Sequence, residues 1–154
     1  MTFKNAERSM SADCIFCKIV QGTAPATVVY EDESAMSFLP LSEGRLADGH
    51  LLVIPKRHAA DLFDVDDADL GAVVFAVQRV SEALRETLGA SGVNVLNASG
   101  PNSDQSVFHL HFHVVPRWMG DGLHTWPKGR SEHLVSGDYA ALIRDHFARD
   151  FRER

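Results

Sequence analysis

The chain has 154 residues, a length typical of one domain, and its 45% hydrophobic and 23% charged residues exclude wholesale disorder. With 15 basic and 21 acidic residues the net charge is −6, so the chain lacks the basic field that nonspecific nucleic-acid binders use. We therefore expect no nucleic-acid partner.

Neither a membrane span nor a secretory signal is indicated. The longest uncharged run, residues 87–103, is broken by glycines and by Pro101, and the first ten residues lack an apolar stretch. We expect no membrane association, a cytoplasmic location, a flexible tail over residues 1–11 and a single domain over residues 12–154.

The predicted elements alternate between short strands and helices. Residues 27–30 and 35–39 are β-prone runs with a polar connection, and residues 51–54 form a buried strand that ends at Pro55. Residues 66–88 carry apolar side chains at three- and four-residue steps and precede Gly89, which predicts one long helix. Further strands over 93–96 and 108–115 and a weaker helix over 139–149 complete the set. The pattern favours an α+β domain with a mainly antiparallel sheet.

Three histidines alternate with apolar residues in the last predicted strand. Because successive side chains of a strand point to opposite faces, His109, His111 and His113 are expected to share one face. Three interpretations are open: a hydrogen-bonded row without chemistry, a catalytic zinc held by two or three imidazoles, and nucleophilic attack of a neutral imidazole on phosphorus.

The two cysteines, Cys14 and Cys17, lie too close in sequence to act as a structural disulfide. They suit either half of a four-ligand metal site or a redox pair, although a redox pair would normally follow a strand.

The histidine stretch and its flanks resemble the histidine triad (HIT) nucleotide-binding superfamily. The resemblance covers about residues 14–117 and rests on segments in the family's order, namely Cys14 to Val20, Val29 to Glu33, Gly49 to His58, Asn97, Gln105 to Phe108, the triad, and Val115 to Arg117. It implies a HIT-like fold, with a five-stranded sheet packed by one long helix, a short N-terminal helix and a C-terminal helix, and a homodimer formed through the long helix and an adjacent strand.

The resemblance also implies a function. A family member would hydrolyse or transfer at the α-phosphorus of a purine nucleotide of the AMP type, such as a nucleoside phosphoramidate, a related mononucleotide or a dinucleoside polyphosphate, through a nucleotidyl-histidine intermediate. His111 matches the nucleophile and His113 the group that contacts phosphate oxygens. Ser106 matches a proton donor to the leaving group, while Gln105, Asn97 and His50 match further active-site positions.

In the family's cysteine-bearing branch, a structural zinc ion is held near the nucleophile. The matching ligands here are Cys14, Cys17, His58 and His109, and His109 would thereby support catalysis from its place beside His111. The base and ribose would lie in an apolar cleft lined by Ile15, Phe16, Ile19, Phe38, Leu41 and Leu52.

Two positions depart from the family pattern. Pro40 replaces an aspartate that commonly binds ribose, a role that Glu43 or Asp48 could take over. Asp104 replaces a small residue and would repel an anionic substrate unless it pairs with a cation such as Arg117. These departures leave an alternative, a slow or non-catalytic nucleotide-binding or sensing protein of the same family.

Overall fold

The computed structural model describes residues 11–150, which form two compact units, one ending at Gly122 and one beginning at Leu123. The first unit contains α1 (Ile15–Val20), β1 (Val28–Glu31), β2 (Ala35–Phe38), a 3-10 turn (Ser42–Gly44), β3 (Leu51–Pro55), α2 (Asp67–Leu88), β4 (Gly92–Leu96) and β5 (Phe112–Arg117). The second unit contains α3 (Tyr139–Asp150). The five strands form one antiparallel sheet in the order β1-β2-β3-β5-β4, which confirms the predicted fold class.

The predicted N-terminal tail lies outside the described residues except for Ser11, and the single domain over residues 12–154 stays a prediction. Among residues 11–150, no helix has the length and apolar character needed to span a bilayer.

The β1–β2 hairpin closes around Asp32. Its carboxylate accepts hydrogen bonds from the backbone N–H groups of Ser34 and Ala35, both at 2.8 Å, and from the Tyr30 hydroxyl at 2.6 Å. These bonds hold the polar connection in a tight turn, so the two adjacent β-prone runs pair with each other.

Helix α2 begins and ends where the sequence predicts. The side chain of Asp66 caps the first turn by accepting a bond from the Asp69 backbone at 2.9 Å, and Gly89 ends the helix in the left-handed conformation. The buried stripe of the helix packs on one face of the sheet in a cluster that contains Ala35, Leu51, Val53, Val73, Ala76, Val77, Val80, Leu84 and Val114. This face of the sheet is therefore an ordinary apolar core.

The opposite face of the sheet holds the chemistry. Met36, Phe38, Leu52 and Ile54 project from β2 and β3 and pack with Phe16 of the short helix α1. His113 is paired with Leu52 across β3 and β5, so it lies on the same face as this cluster.

The last strand is shorter than predicted. We expect a strand over residues 108–115, whereas β5 begins at Phe112 and only His113 of the triad lies within it. The preceding segment leaves the ladder because the Leu110 N–H donates to the carbonyl of Ala59 at 2.7 Å instead of to a neighbouring strand. His109 and His111 nevertheless lie on the side of α1, where both rings contact Phe16.

Candidate active site and metal centre

His111 is buried and its ring is held by its own segment. Its Nδ1–H donates to the backbone carbonyl of His109 at 2.8 Å. A neutral imidazole carries one proton, so this bond leaves the lone pair of Nε2 free. Edge-on contact with the Phe16 ring, at 5.4 Å between centroids, fixes the ring plane. His111 is thus oriented as a nucleophile requires.

His113 and His50 form a pair beside His111. The ring centroids of His111 and His113 are 5.1 Å apart, and His113 Nδ1 lies 3.0 Å from His50 Nε2. His50 is almost fully buried at 1% exposure, at the start of β3. Two strands that neighbour each other in the sheet, β3 and β5, therefore bring the pair together.

The rings of this cluster favour the neutral form. Burial lowers the pKa of His113 to about 4, and the neighbouring His111 and His50 add to the effect. Burial also lowers the pKa of His111 and of His50, in the latter case with a contribution from Arg45. An unprotonated nucleophile is consequently available near neutral pH.

Asn97 supports the backbone of His111. Its Nδ2 donates to the His111 carbonyl at 2.8 Å, while its Oδ1 accepts from the Ser99 hydroxyl at 2.7 Å. Ser99 in turn accepts from the backbone N–H of Leu62 at 3.1 Å. This chain of bonds determines which way the Asn97 amide faces, and the sequence did not single out Ser99 or Leu62.

The Gln105 side chain ties two loops together. Its Oε1 accepts from Gly100 N–H at 2.8 Å, and its Nε2 donates to the carbonyls of Ala60 and Val107 at 2.7 and 3.0 Å. Both amide protons are used inside the protein, so the structure assigns Gln105 a role in loop geometry. The predicted nucleotide contact is not tested by this arrangement.

Near these loops, Ser106 and Asp104 are both exposed, and Asp104 has a left-handed backbone with φ of 62°. Arg117 is bound to the Asp121 carboxylate and to Asn94. Arg117 is therefore already committed to other partners.

The predicted apolar cleft is assembled in part. The structure brings Phe16, Ile19, Phe38 and Leu52 into one cluster. Ile15 is 46% exposed and Leu41 is 82% exposed, and neither is a member of it. Glu43 and Asp48, the residues considered as substitutes for the missing ribose ligand, are also exposed.

The four predicted metal ligands meet in space. The ligand atoms of Cys14, Cys17, His58 and His109 all lie within 4.8 Å of one another. Cys14 Sγ is 3.4 Å from His109 Nδ1, and Cys17 Sγ is 3.3 Å from His58 Nδ1 and 3.6 Å from His109 Nδ1. Tetrahedral zinc with ordinary bond lengths places sulfur and nitrogen about 3.5 Å apart, so the four atoms fit zinc without rearrangement.

The surroundings of this metal centre also suit a cation. His109 Nε2–H donates to the carbonyl of Pro55 at 2.8 Å, which leaves Nδ1 free to face the two sulfur atoms. Burial raises the pKa of the Cys17 thiol to about 11, so the thiolate form needs a nearby positive charge. Among the described residues, the metal-ligand cluster uses only His109 of the triad, which argues against a catalytic metal held by all three imidazoles.

Lys56 and Arg57 follow the same strand but are not free to bind phosphate. Lys56 pairs with Glu31 at 2.6 Å, and Arg57 binds the carboxylates of Asp66 and Asp69 at the start of α2. Arg57 thereby joins the end of β3, next to the ligand His58, to the helix.

The comparisons with known proteins agree with this geometry. A sequence profile described as the HIT domain matches residues 21–119, more than half of the chain. The chain belongs to the HIT family. The Bacillus subtilis protein called Protein hit is 41% identical to this HIT chain over 111 residues, which span 71% of this chain and 75% of that protein.

Solved HIT structures share the fold. A zinc-bound histidine triad family protein from Mycobacterium smegmatis aligns with a TM-score of 0.69 and 36% identity, over 92% of this chain and 98% of that chain. A HIT family hydrolase from Legionella pneumophila aligns with a TM-score of 0.61 and 35% identity, over 76% of this chain and 100% of that chain. The fold predicted from the resemblance is thus confirmed.

Proposed function

We propose that this HIT protein is a hydrolase or transferase acting at the α-phosphorus of a purine nucleotide, with a nucleoside 5′-phosphoramidate as the simplest substrate. The observation that carries the proposal is the bond from His111 Nδ1–H to the His109 carbonyl, which leaves Nε2 as a buried, unprotonated nucleophile. Related mononucleotides and dinucleoside polyphosphates share the reacting group and belong to the same class.

In the first step, the Nε2 lone pair of His111 forms a bond to the α-phosphorus and the bond from phosphorus to the leaving group breaks. For a phosphoramidate, the leaving nitrogen needs a proton to depart as an amine, and Ser106 is the proposed donor. Water then attacks the phosphorus, the bond to His111 breaks, and the nucleotide leaves with the neutral ring restored.

The contacts around His111 favour the transition state over the ground state. Phosphorus bonding places positive charge on the ring, and the Nδ1–H bond to the His109 carbonyl strengthens as that charge develops. Asn97 holds the His111 backbone by its 2.8 Å bond, so the ring need not reorganise during the reaction.

The direct test is steady-state hydrolysis of adenosine 5′-phosphoramidate by the wild type and by His111→Ala. We expect the variant to fold and to lose nearly all release of AMP. The matched control is His146→Ala, because His146 is exposed on α3 and should be dispensable. A His111→Ala protein that turns over at the wild-type rate would exclude this mechanism. Tight AMP binding by a wild type that releases no product would favour the sensing alternative.

We also propose that Cys14, Cys17, His58 and His109 hold a structural zinc ion. The donor set and its spacing support zinc, and the M. smegmatis relative is a zinc-bound member of the same family. When bound, zinc would supply positive charge to two thiolates and tie α1 to the triad. Metal analysis should find one zinc per chain, with loss of metal and a lower Tm in Cys17→Ser. A metal-free wild type with an unchanged Tm would contradict the zinc site.

A homodimer is the proposed assembly. Strand β4 is an edge of the sheet and exposes Val95 and Leu96, and α2 exposes Val74 and Phe75 at 52% each. Light scattering should give twice the chain mass, and replacing Val95 with Lys should give a monomer. The cytoplasm stays the expected compartment.

A further inference from the structure

The proton positions in the His50–His113 pair follow from a contact outside the triad. The backbone N–H of Leu46 donates to His50 Nδ1 at 3.1 Å. A backbone amide can only donate, so Nδ1 of His50 must be the acceptor and carries no proton. Since a neutral imidazole has one proton, that proton of His50 lies on Nε2.

The same reasoning extends to the next ring. His50 Nε2 lies 3.0 Å from His113 Nδ1, so the Nε2–H of His50 donates and Nδ1 of His113 accepts. His113 must then carry its own proton on Nε2. Through the two bonds, one backbone amide determines the tautomer of both rings.

The loop that carries this amide is closed by its own contacts. Arg45 Nε donates to the Pro40 carbonyl at 2.9 Å, and the His50 N–H donates to the Ala47 carbonyl at 3.1 Å. The Leu46 side chain is 52% exposed, so the amide, and not the side chain, makes the contact with His50. Pro40, a departure from the family pattern, thus contributes its carbonyl to the loop.

We infer that the Leu46 backbone amide is a positioning group, acting through His50 to keep the proton of His113 on Nε2. That His113 donates this proton to an oxygen of the substrate phosphate rests on the proposed function, whereas the tautomer itself does not. A His113 ring with its proton on Nδ1 would present a lone pair to the phosphate and would repel it.

The variants Leu46→Pro and Leu46→Ala separate the amide from the side chain. Arg45 has an extended backbone, as a residue before proline requires, so proline at position 46 removes the N–H at little steric cost from Arg45. We expect Leu46→Pro to slow single-turnover adenylylation of His111 about five- to tenfold, the effect of one lost hydrogen bond. Leu46→Ala keeps the amide and should retain the wild-type rate.

The decisive measurement is the tautomer of each ring, read from two-bond proton–nitrogen correlations of ¹⁵N-labelled wild-type protein, which requires no variant. We expect Nε2–H in His50 and His113 and Nδ1–H in His111, with a mixture of tautomers in His113 of Leu46→Pro. A wild-type His113 with its proton on Nδ1 would overturn the inference, as would wild-type tautomers in Leu46→Pro or an equal rate loss in Leu46→Ala. The predicted tautomers in a protein that hydrolyses no nucleotide would instead overturn the proposed function alone.

Discussion

Acidification should destabilise the protein through His113. The folded state lowers the pKa of this ring from 6.5 to about 4 because the ring is buried next to His111 and His50. Between these two pH values the unfolded chain binds a proton that the folded chain does not, so stability falls as the pH decreases through this window. One proton is worth about 1.4 kcal/mol per pH unit, and the loss approaches about 3 kcal/mol near pH 4.

The comparison of wild type with His113→Asn isolates this effect. Asparagine keeps a polar group opposite His50 but cannot titrate, and other acid-sensitive groups, the metal ligands included, are the same in both proteins. Urea unfolding at about pH 6.5 and about pH 4.5 should show a loss of free energy of unfolding that is about 2–3 kcal/mol larger in the wild type. Equal losses in the two proteins would refute the burial of a neutral imidazole at position 113.

Three further substitutions test particular contacts. Asn97→Asp keeps the acceptor for Ser99 but loses the donor to His111, so rapid-quench adenylylation should slow about tenfold, while Asn94→Asp keeps the oxygen that Arg117 uses and should not slow it. Gly49→Ala places a Cβ 2.6 Å from Leu88 at φ of 83°, and should lower the free energy of unfolding in urea by about 1–3 kcal/mol, whereas a Cβ at Gly44 meets nothing within 4 Å and Gly44→Ala should change it little. Asp69→Asn weakens the buried partner of Arg57 and should cost about 1–3 kcal/mol by the same measurement, against a smaller change for the exposed Asp67→Asn.

Much of the fold could be predicted because its signals are local. The cap at Asp66, the apolar spacing of α2 and the glycine at position 89 are all written in neighbouring residues, and the helix has the predicted limits. The start of β5 was predicted four residues too early because alternation continues through His109 and His111, although Leu110 bonds to Ala59 and not to a strand. Alternation reports which side a residue faces, and it does not report where ladder pairing begins.

The candidate site divides in the same way. The Cys and His ligands could be named from residue types and from the family resemblance, and they meet as expected. The contacts of Ser99 and of the Leu46 amide could not be found, because a backbone N–H leaves no signature in the sequence and both contacts depend on loop geometry. Likewise, nothing local indicates that Arg57 would bind carboxylates of α2.

The central claim is covalent catalysis by His111, and rapid quenching with adenosine 5′-phosphoramidate followed by peptide mapping tests it most directly. The account predicts an acid-labile AMP adduct on the peptide that contains His111, absent from His111→Ala and unchanged in His146→Ala. Release of AMP by the wild type at full rate, with no adduct at His111 on the time scale of turnover and continued turnover in His111→Ala, would contradict it.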